Sequence, residues 1–398
     1  MLPSPPHNIS PNRTFDLLCA CCTAHPTPAQ IAHIATLQFA DFDWPEFLRQ
    51  AEHHGVLALA AHNLTQHADN LPHEIRGTLE SAHATSFRRG LWFAAELMRV
   101  TQQLARRGVR AIPYKGPVLA QSAYGDLALR SFSDLDLLIS PADFDQAKNA
   151  LAEIAYRPSK PQTPAVERLW LKTGYECSFD GPAGKNLVEL QWALLPRFYA
   201  VASAQFQFDD LWSRAGRVAL GASDTAAVPC LAPEDSLLIL SLHAAKHLWT
   251  RLIWVADIAE TLRAPSLDLA QVISRARAAG IARILGVSLN LARNLLGAFI
   301  PEIAQAAINS DPAISPLTAE CSSRLAHCAT YDFQSTQYFR QILRLRERPA
   351  DRSRYLWRLL FTPSEGDIQS VTLPEPMFPL YRAVRLARLL RKLAKPSN

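Results

Sequence analysis

The stretch from Ile112 to Ser140 constrains the fold most, because it places two carboxylates at the head of an apolar strand. Asp134 and Asp136 flank Leu135, and an apolar run follows them. Successive side chains of a strand point to opposite faces, so both aspartates are expected on one face, about 7 Å apart. Such a pair can hold divalent cations, and hard oxygen ligands suit Mg²⁺. The alternative is a strand with a solvated acidic face, although Asp is depleted in strands.

A short turn, Lys115-Gly116-Pro117, precedes the aspartates. Gly116 allows backbone amides to approach phosphate oxygens, and the helix expected after it directs its positive end toward them. Pro117 weakens this interpretation because proline has no N–H group. Lys115 is either a phosphate-binding point charge or an ordinary lysine at a strand end. Arg130 is expected to bind phosphate through its guanidinium fork or to form a structural ion pair with one of the two aspartates.

A glycine-bearing turn, a helix and Asp-x-Asp at the start of a strand resemble the nucleotidyltransferases of the DNA-polymerase-β type. Residues 114–139 are similar to a bacterial family of uncharacterised nucleotidyltransferases. The resemblance implies a third carboxylate on a later strand, and Glu189 within residues 187–192 fits it. In isolation, Glu189 would be a solvated strand residue. If its strand lies beside that of the aspartates, Glu189 would hold the catalytic metal and accept the proton of the acceptor.

Periodicity divides the chain into three parts. Residues 1–108 are expected to form an N-terminal helical region with a disordered start at 1–12, and the helix from about Thr85 is expected to end at Gly108. Residues 109–230 are expected to form the catalytic core, with Pro113 at a sheet edge or a strand end and a hairpin around residues 181–184. Residues 231–398 are expected to form a C-terminal helical domain. The predicted fold class is therefore α+β, with a small polymerase-β-type α/β core between large helical regions.

A second group of candidate residues follows Pro233 in a segment that reads as one long helix. Its members are His243, Lys246, His247, Arg251, Trp254 and Asp257. On one unbroken helix, four of them share a face. This pattern predicts hydrogen-bonded core histidines, or substrate contacts with Lys246 or Arg251 on phosphate and His247 near the nucleotide. The i, i+4 histidines also allow a metal, but the glutamate of an H-E-x-x-H site is missing.

Composition describes an ordinary soluble globular protein, with 48% hydrophobic and 19% charged residues in 398. No apolar run approaches the roughly 18 residues of a membrane span, and no signal peptide is visible. Seven scattered cysteines favour free thiols and a reducing cytoplasm over disulfides. The triplet Cys19, Cys21 and Cys22 reads as buried thiols rather than a metal site.

The net charge of +5 is concentrated at the C-terminal end. The basic residues from 377 onward are Arg382, Arg385, Arg388, Arg391, Lys392 and Lys395. The rest of the chain is close to neutral, which makes nucleic acid a less favoured partner. The final segment predicts an amphipathic helix whose leucines pack on the chain's own helical domain; the alternatives are an acidic partner, a nucleic acid or a membrane surface.

Together these features predict a cytoplasmic, Mg²⁺-dependent nucleotidyltransferase, with Mn²⁺ as an alternative metal and an NTP such as ATP as co-substrate. It would transfer an NMP group to an acceptor and release pyrophosphate; the acceptor is a small molecule, a peptide, a protein or an RNA end. The alternatives are phosphoryl transfer at the same site and a nucleotide-binding scaffold without catalysis. The expected metal ligands and catalytic residues are Asp134, Asp136 and Glu189; the expected nucleotide-binding residues are Lys115, Gly116, Arg130, Lys246 and His247.

Overall fold

The structure, a computed structural model, describes residues 13–36, 41–199, 206–221, 227–332 and 335–393. Within these ranges the chain is mostly helical, and its strands lie between residues 111 and 230. The fold is therefore α+β with a large helical content. The predicted disordered start at residues 1–12 lies outside the described residues. Among the residues that the structure describes, none of the helices combines the length and apolar character needed to cross a membrane.

Helices fill the N-terminal region, as predicted. They are α1 (Arg13–Cys21), α2 (Pro28–Thr36), α3 (Trp44–His53), α4 (Leu57–His67) and α5 (His73–Arg106). Helix α3 is capped by Asp43, whose carboxylate accepts a hydrogen bond from the backbone N–H of Glu46 at 3.0 Å. Helix α5 begins well before the expected start near Thr85. It ends just before Gly108, whose φ of +70° is the left-handed cap conformation.

The central sheet has five strands in the order β1-β2-β5-β4-β3. The strands are β1 (Ala111–Pro113), β2 (Leu135–Ile139), β3 (Arg157–Pro158), β4 (Glu176–Gly181) and β5 (Gly184–Gln191). Strands β2 and β5 are parallel, and the other neighbours are antiparallel. Strand β1 lies at the edge of the sheet, as Pro113 predicts. The predicted hairpin is formed by β4 and β5.

The rest of the core surrounds this sheet and includes a second, two-stranded sheet. Its helices are α6 (Gly116–Leu119), which continues into a π-helical turn at Ala120–Tyr124, α7 (Phe144–Glu153), α8 (Pro164–Thr173) and α9 (Phe208–Arg214). Strands β6 (Gly216–Ala219) and β7 (Ala227–Cys230) pair antiparallel.

The C-terminal region is helical, as predicted. Its helices are α10 (Pro233–Lys246), α11 (Leu252–Thr261), α12 (Leu269–Ala279), α13 (Ala282–Leu296), α14 (Glu302–Asn309), α15 (Ile314–Ala326), α16 (Thr336–Arg344), α17 (Pro349–Phe361), α18 (Glu365–Ser370) and α19 (Tyr381–Leu393).

The expected single helix from Pro233 to Leu262 is wrong. Helix α10 ends at Lys246 and α11 begins at Leu252. Between them Leu248 and Trp249 have φ values of +51° and +49°, a conformation that costs energy for bulky residues. Burial of both side chains, and the hydrogen bond from Trp249 Nε1 to Ser288 Oγ at 3.1 Å, compensate for this strain.

Three buried hydrophobic clusters form the core of the described residues, and two of them are the most extensive. The larger one joins the N- and C-terminal helical regions, since Leu18 and Leu59 belong to the same buried cluster as Val255. The second lies behind the central sheet, where Leu137 and Val188 pack with residues of α5 and α7. The division at residues 108 and 230 stays a prediction. All seven cysteines are free, and Cys19, Cys21 and Cys22 are buried.

The last helix packs differently from the prediction. Among the described side chains of α19, at residues 381–391, Tyr381 and Arg385 are buried, whereas Leu390 is 66% exposed. Arg385 donates to the carbonyl of Leu359 at 3.0 Å and to Ser364 Oγ at 3.1 Å. The helix therefore docks on its own domain through a tyrosine and an arginine more than through its leucines.

Candidate active site

Strand pairing brings Asp136 and Glu189 side by side. Strands β2 and β5 run parallel, and Asp136 is the direct partner of Glu189 in their register. The intervening residues, such as Leu137 and Val188, face the core and fix which face the acids occupy. Asp134, two residues before Asp136, immediately precedes β2. The three acids that the sequence singles out therefore lie at one place on the sheet.

Gln191 links Asp136 and Glu189 with a further carboxylate, that of Glu176. Its amide nitrogen lies 2.9 Å from Asp136 Oδ1, 3.3 Å from Glu189 Oε2 and 3.4 Å from Glu176 Oε2. The three carboxylate oxygens therefore surround one amide nitrogen, and each lies within 3.4 Å of it. The other end of the amide accepts a hydrogen bond from the buried Tyr114 hydroxyl at 2.6 Å. Gln191 is held in one orientation and positions the acids around it.

Two lysines face the acids. Lys115 Nζ lies 3.0 Å from Asp136 Oδ1, and only 10% of the lysine side chain is exposed. The same ammonium lies 3.4 Å from His243 Nδ1. Lys246 Nζ lies 3.3 Å from the Tyr175 hydroxyl and 4.9 Å from the centre of the Tyr175 ring. The phosphate-binding roles of both lysines stay predictions.

The turn before the site requires a glycine at position 116. Gly116 has a φ of +60°, a conformation that L side chains rarely adopt. A Cβ at this position would lie 3.4 Å from the carbonyl oxygen of Asp134, so the turn packs directly against the first aspartate. Whether the turn binds phosphate stays a prediction.

Arg130 forms the structural ion pair rather than reaching the carboxylate cluster. Its guanidinium donates to both oxygens of Asp257, at 2.7 and 2.9 Å. The Tyr124 hydroxyl donates to the same carboxylate at 2.7 Å. The partner is thus Asp257 of α11 instead of Asp134 or Asp136. This contact ties the segment before β2 to the C-terminal region.

The aromatic members of the second group stay together despite the break between α10 and α11. The His247 ring stacks on Trp254 with centroids 4.7 Å apart, and the His243 ring meets Trp254 edge-on at 5.6 Å. Burial lowers the pKa of both histidines well below the usual value, and neighbouring lysine charges lower it further. The arrangement is that of neutral, packed histidines beside Lys115. The nucleotide-binding role of His247 stays a prediction.

Sequence reasoning missed Glu176, which adds a fourth carboxylate. It lies at the start of β4, directly opposite Gln191 on β5. Burial raises its pKa, and the charge of Lys246 opposes that shift. The signal was present, because Glu176 and Ser178 alternate on a strand that pairs with the strand of Glu189. Pairing within the predicted hairpin is enough to place Glu176 on the same face as Glu189.

Burial first, and crowding of negative charge second, raise the pKa values of the acids at the site. The pKa of Glu189 is raised from the usual 4.5 to about 8, first by burial and then by the charges of Asp136, Glu176 and Asp134. Burial and the charge of Asp136 also raise the pKa of Asp134. In the described part of the chain, no three His, Cys, Asp or Glu side chains stand at metal-ligand spacing. The side chains that could bind a metal here are nevertheless carboxylates, whose oxygens are the hard ligands that Mg²⁺ prefers. Their negative charges repel one another, and a bound cation would relieve that repulsion.

A cavity of about 720 Å³ opens in front of the acids. Asp134, Glu176 and Glu189 belong to its lining. Residues from Pro363 onward, including Arg388, also line it. Its volume is within the range of small-molecule sites.

The comparison with protein families identifies the chain. The model of a family described as "Uncharacterised nucleotidyltransferase" matches residues 40–297, which include the whole central sheet. The chain belongs to this family of transferases. A comparison with proteins of curated function gave no match.

Proposed function

We propose that the protein transfers a nucleoside monophosphate from an NTP, with ATP the expected donor, to an acceptor hydroxyl and releases pyrophosphate. The central sheet and the turn at Gly116 would form a polymerase-β-type core. The observation that carries the proposal is the pairing of Asp136 with Glu189 across β2 and β5, beside Asp134, in a chain of a nucleotidyltransferase family.

Asp134, Asp136 and Glu189 would hold Mg²⁺, or Mn²⁺ in its place. When bound, the metal supplies positive charge that activates the attacking hydroxyl and neutralises the leaving pyrophosphate. The fit rests on the oxygen donors and on the burial and mutual repulsion that raise the pKa values of Asp134 and Glu189. Gln191, anchored by Tyr114, would keep the carboxylates oriented.

The chain's own groups have separate tasks in this reaction. The acceptor oxygen forms a bond to the α-phosphorus, and the bond from that phosphorus to the bridging oxygen of the β-phosphate breaks. The electron pair of the broken bond leaves with pyrophosphate, and the hydroxyl proton passes to Glu189. Lys115 and Lys246, which flank the carboxylates, would bind the phosphates as point charges.

Labelled nucleotides test the proposal against its two alternatives. The protein is incubated with Mg²⁺, an extract of the source cells and ATP labelled at either the α- or the γ-phosphate. Nucleotidyl transfer places the α-label in a new product and the γ-label in pyrophosphate. Phosphoryl transfer places the γ-label in the product, and a scaffold gives no product.

Asp136→Asn is the matched inactive variant, because it keeps the size of the side chain and removes its charge. It should abolish product formation in the same assay. Product formation that is equal in wild type and Asp136→Asn would contradict the proposed site.

A further inference from the structure

The cavity that the carboxylates line is also bordered by a part of the chain that lies outside the family match. This C-terminal arm, residues 363–389, follows α17 and includes α18 and most of α19. It contributes Ser364, Arg388 and Leu389 to the same lining as Asp134 and Glu189. The family match ends at residue 297. The lining therefore combines residues of the matched region with residues of an arm that follows it.

The arm is fastened to the core beside the cavity. Lys160 pairs with Glu365 at 2.7 Å, and Arg168 of α8 pairs with Glu375 at 2.9 Å. Arg388 also pairs with the fully buried Asp367, which fixes α19 against α18. These contacts hold the arm beside the cavity that the acids line.

The lining has a distinct chemistry. Among its described residues are five carboxylates and three cationic side chains, and the cations at Lys160 and Arg388 are already paired with acids. Mg²⁺ would offset Asp134 and Glu189, and the three remaining carboxylates equal the three cations in number. The lining therefore has no excess positive charge to attract a nucleic acid or another anionic acceptor. Phe198 and Phe339, whose ring centres are 6.4 Å apart, add apolar faces. Such a mixture suits a small polar molecule with an apolar or ring face.

We propose that the acceptor is a small, uncharged or cationic molecule with a hydroxyl group, bound between the carboxylates and the C-terminal arm, and that the arm selects it. This inference rests on the proposed function. The hydroxyl oxygen would form the bond to the α-phosphorus, pyrophosphate would leave with the electron pair, and Glu189 would take the proton. Leu389 would border the acceptor.

The test asks whether the acceptor is a small molecule or a macromolecule. An extract of the source cells is divided by ultrafiltration into small-molecule and macromolecular fractions, and each is incubated with the protein, Mg²⁺ and ATP labelled at the α-phosphate. The inference predicts a new labelled product in the small-molecule fraction. That product should elute from an anion exchanger before AMP, because a phosphodiester to an uncharged or cationic acceptor carries less negative charge.

Neighbouring leucines of α19 provide a matched pair of variants. Leu389→Trp places bulk in the cavity, whereas Leu390→Trp places the same bulk on the exposed side of the helix. Leu389→Trp should reduce product formation by a factor on the order of 10², as misplacement of a substrate does. Leu390→Trp should match wild type, and both variants should bind MgATP as wild type does.

The outcomes distinguish this inference from the proposed function. Label in protein or nucleic acid alone, a product that elutes after AMP, or equal activity of Leu389→Trp and wild type would overturn the inference and leave nucleotidyl transfer standing. Label in neither fraction would overturn both.

Discussion

Arg130 and Asp257 form a buried, bidentate ion pair that joins the segment before β2 to helix α11. Only 6% of the arginine side chain and 1% of the aspartate side chain are exposed. Asp257 also accepts a hydrogen bond from Tyr124, so its charge is compensated from two directions. The position of the first aspartate of the site thus depends on a residue far along the chain.

Loss of this pair should reduce stability. Arg130→Met leaves Asp257 as a buried charge without its partner, and the expected cost in the free energy of unfolding is about 3–5 kcal/mol. Urea unfolding measures it. Arg49→Met, at an exposed pair with Glu46, is the control and should change little. Unchanged stability of Arg130→Met together with lost MgATP binding would instead support a phosphate contact.

Lys115→Met should produce a defect that magnesium corrects. Without metal, the variant leaves the buried Asp136 carboxylate without its cation, which should lower the free energy of unfolding by about 3 kcal/mol. Added Mg²⁺ should restore much of this loss. Lys148→Met, at the pair with Glu167 away from the site, is the control and should not respond to Mg²⁺. Urea unfolding of both variants, with EDTA and with Mg²⁺, measures these effects. An equal response to Mg²⁺ in Lys115→Met and Lys148→Met would contradict a metal site at Asp136.

Gln191→Leu should weaken metal binding although Gln191 is not itself an expected ligand. Loss of an orienting contact typically lowers metal affinity on the order of 10–100-fold. The buried Tyr114 hydroxyl also loses its acceptor, at a cost of about 1–3 kcal/mol. Mn²⁺ titration and urea unfolding measure the two effects. Tyr114→Phe keeps the amide and should lower affinity less; a larger loss in Tyr114→Phe would refute the role of Gln191.

Glu189 should make the metal-free protein less stable as pH rises. Its folded pKa of about 8 lies above the usual value of 4.5, so the native state holds the proton more tightly than the unfolded chain. The stabilisation is complete below about pH 4.5 and is lost as pH rises through about 8. The melting temperature in EDTA should therefore fall over this window more steeply in wild type than in Glu189→Gln. Identical slopes would contradict the assignment.

Local patterns predicted much of the core. The strand of Asp134 and Asp136, the edge position of Pro113 and the hairpin of β4 and β5 all follow from neighbouring residues. The exact partner of Glu176 did not, because a register shift between Phe179 and Gly181 changes the pairing of β4 with β5. Pairing extended from the turn would put Glu176 opposite Glu189 instead of Gln191.

Long-range packing explains the other differences. No glycine or proline in the sequence marks the break between α10 and α11 at Leu248 and Trp249. Both side chains are buried in a core shared by distant helices, and this burial makes their positive φ values tolerable. The partner of Arg130 likewise depends on how α11 packs against the segment before β2. Neither feature can be read from local periodicity.

Divalent-metal binding tests the central claim most directly. Mn²⁺ is titrated into the protein, with a non-hydrolysable ATP analogue present, and free Mn²⁺ is followed by electron paramagnetic resonance. Wild type should show saturable binding, Asp136→Asn should lose it, and Asp145→Asn, a control whose side chain is 79% exposed on α7, should retain it. Equal Mn²⁺ binding by wild type and Asp136→Asn would contradict the claim that these carboxylates form the metal site of a nucleotidyltransferase.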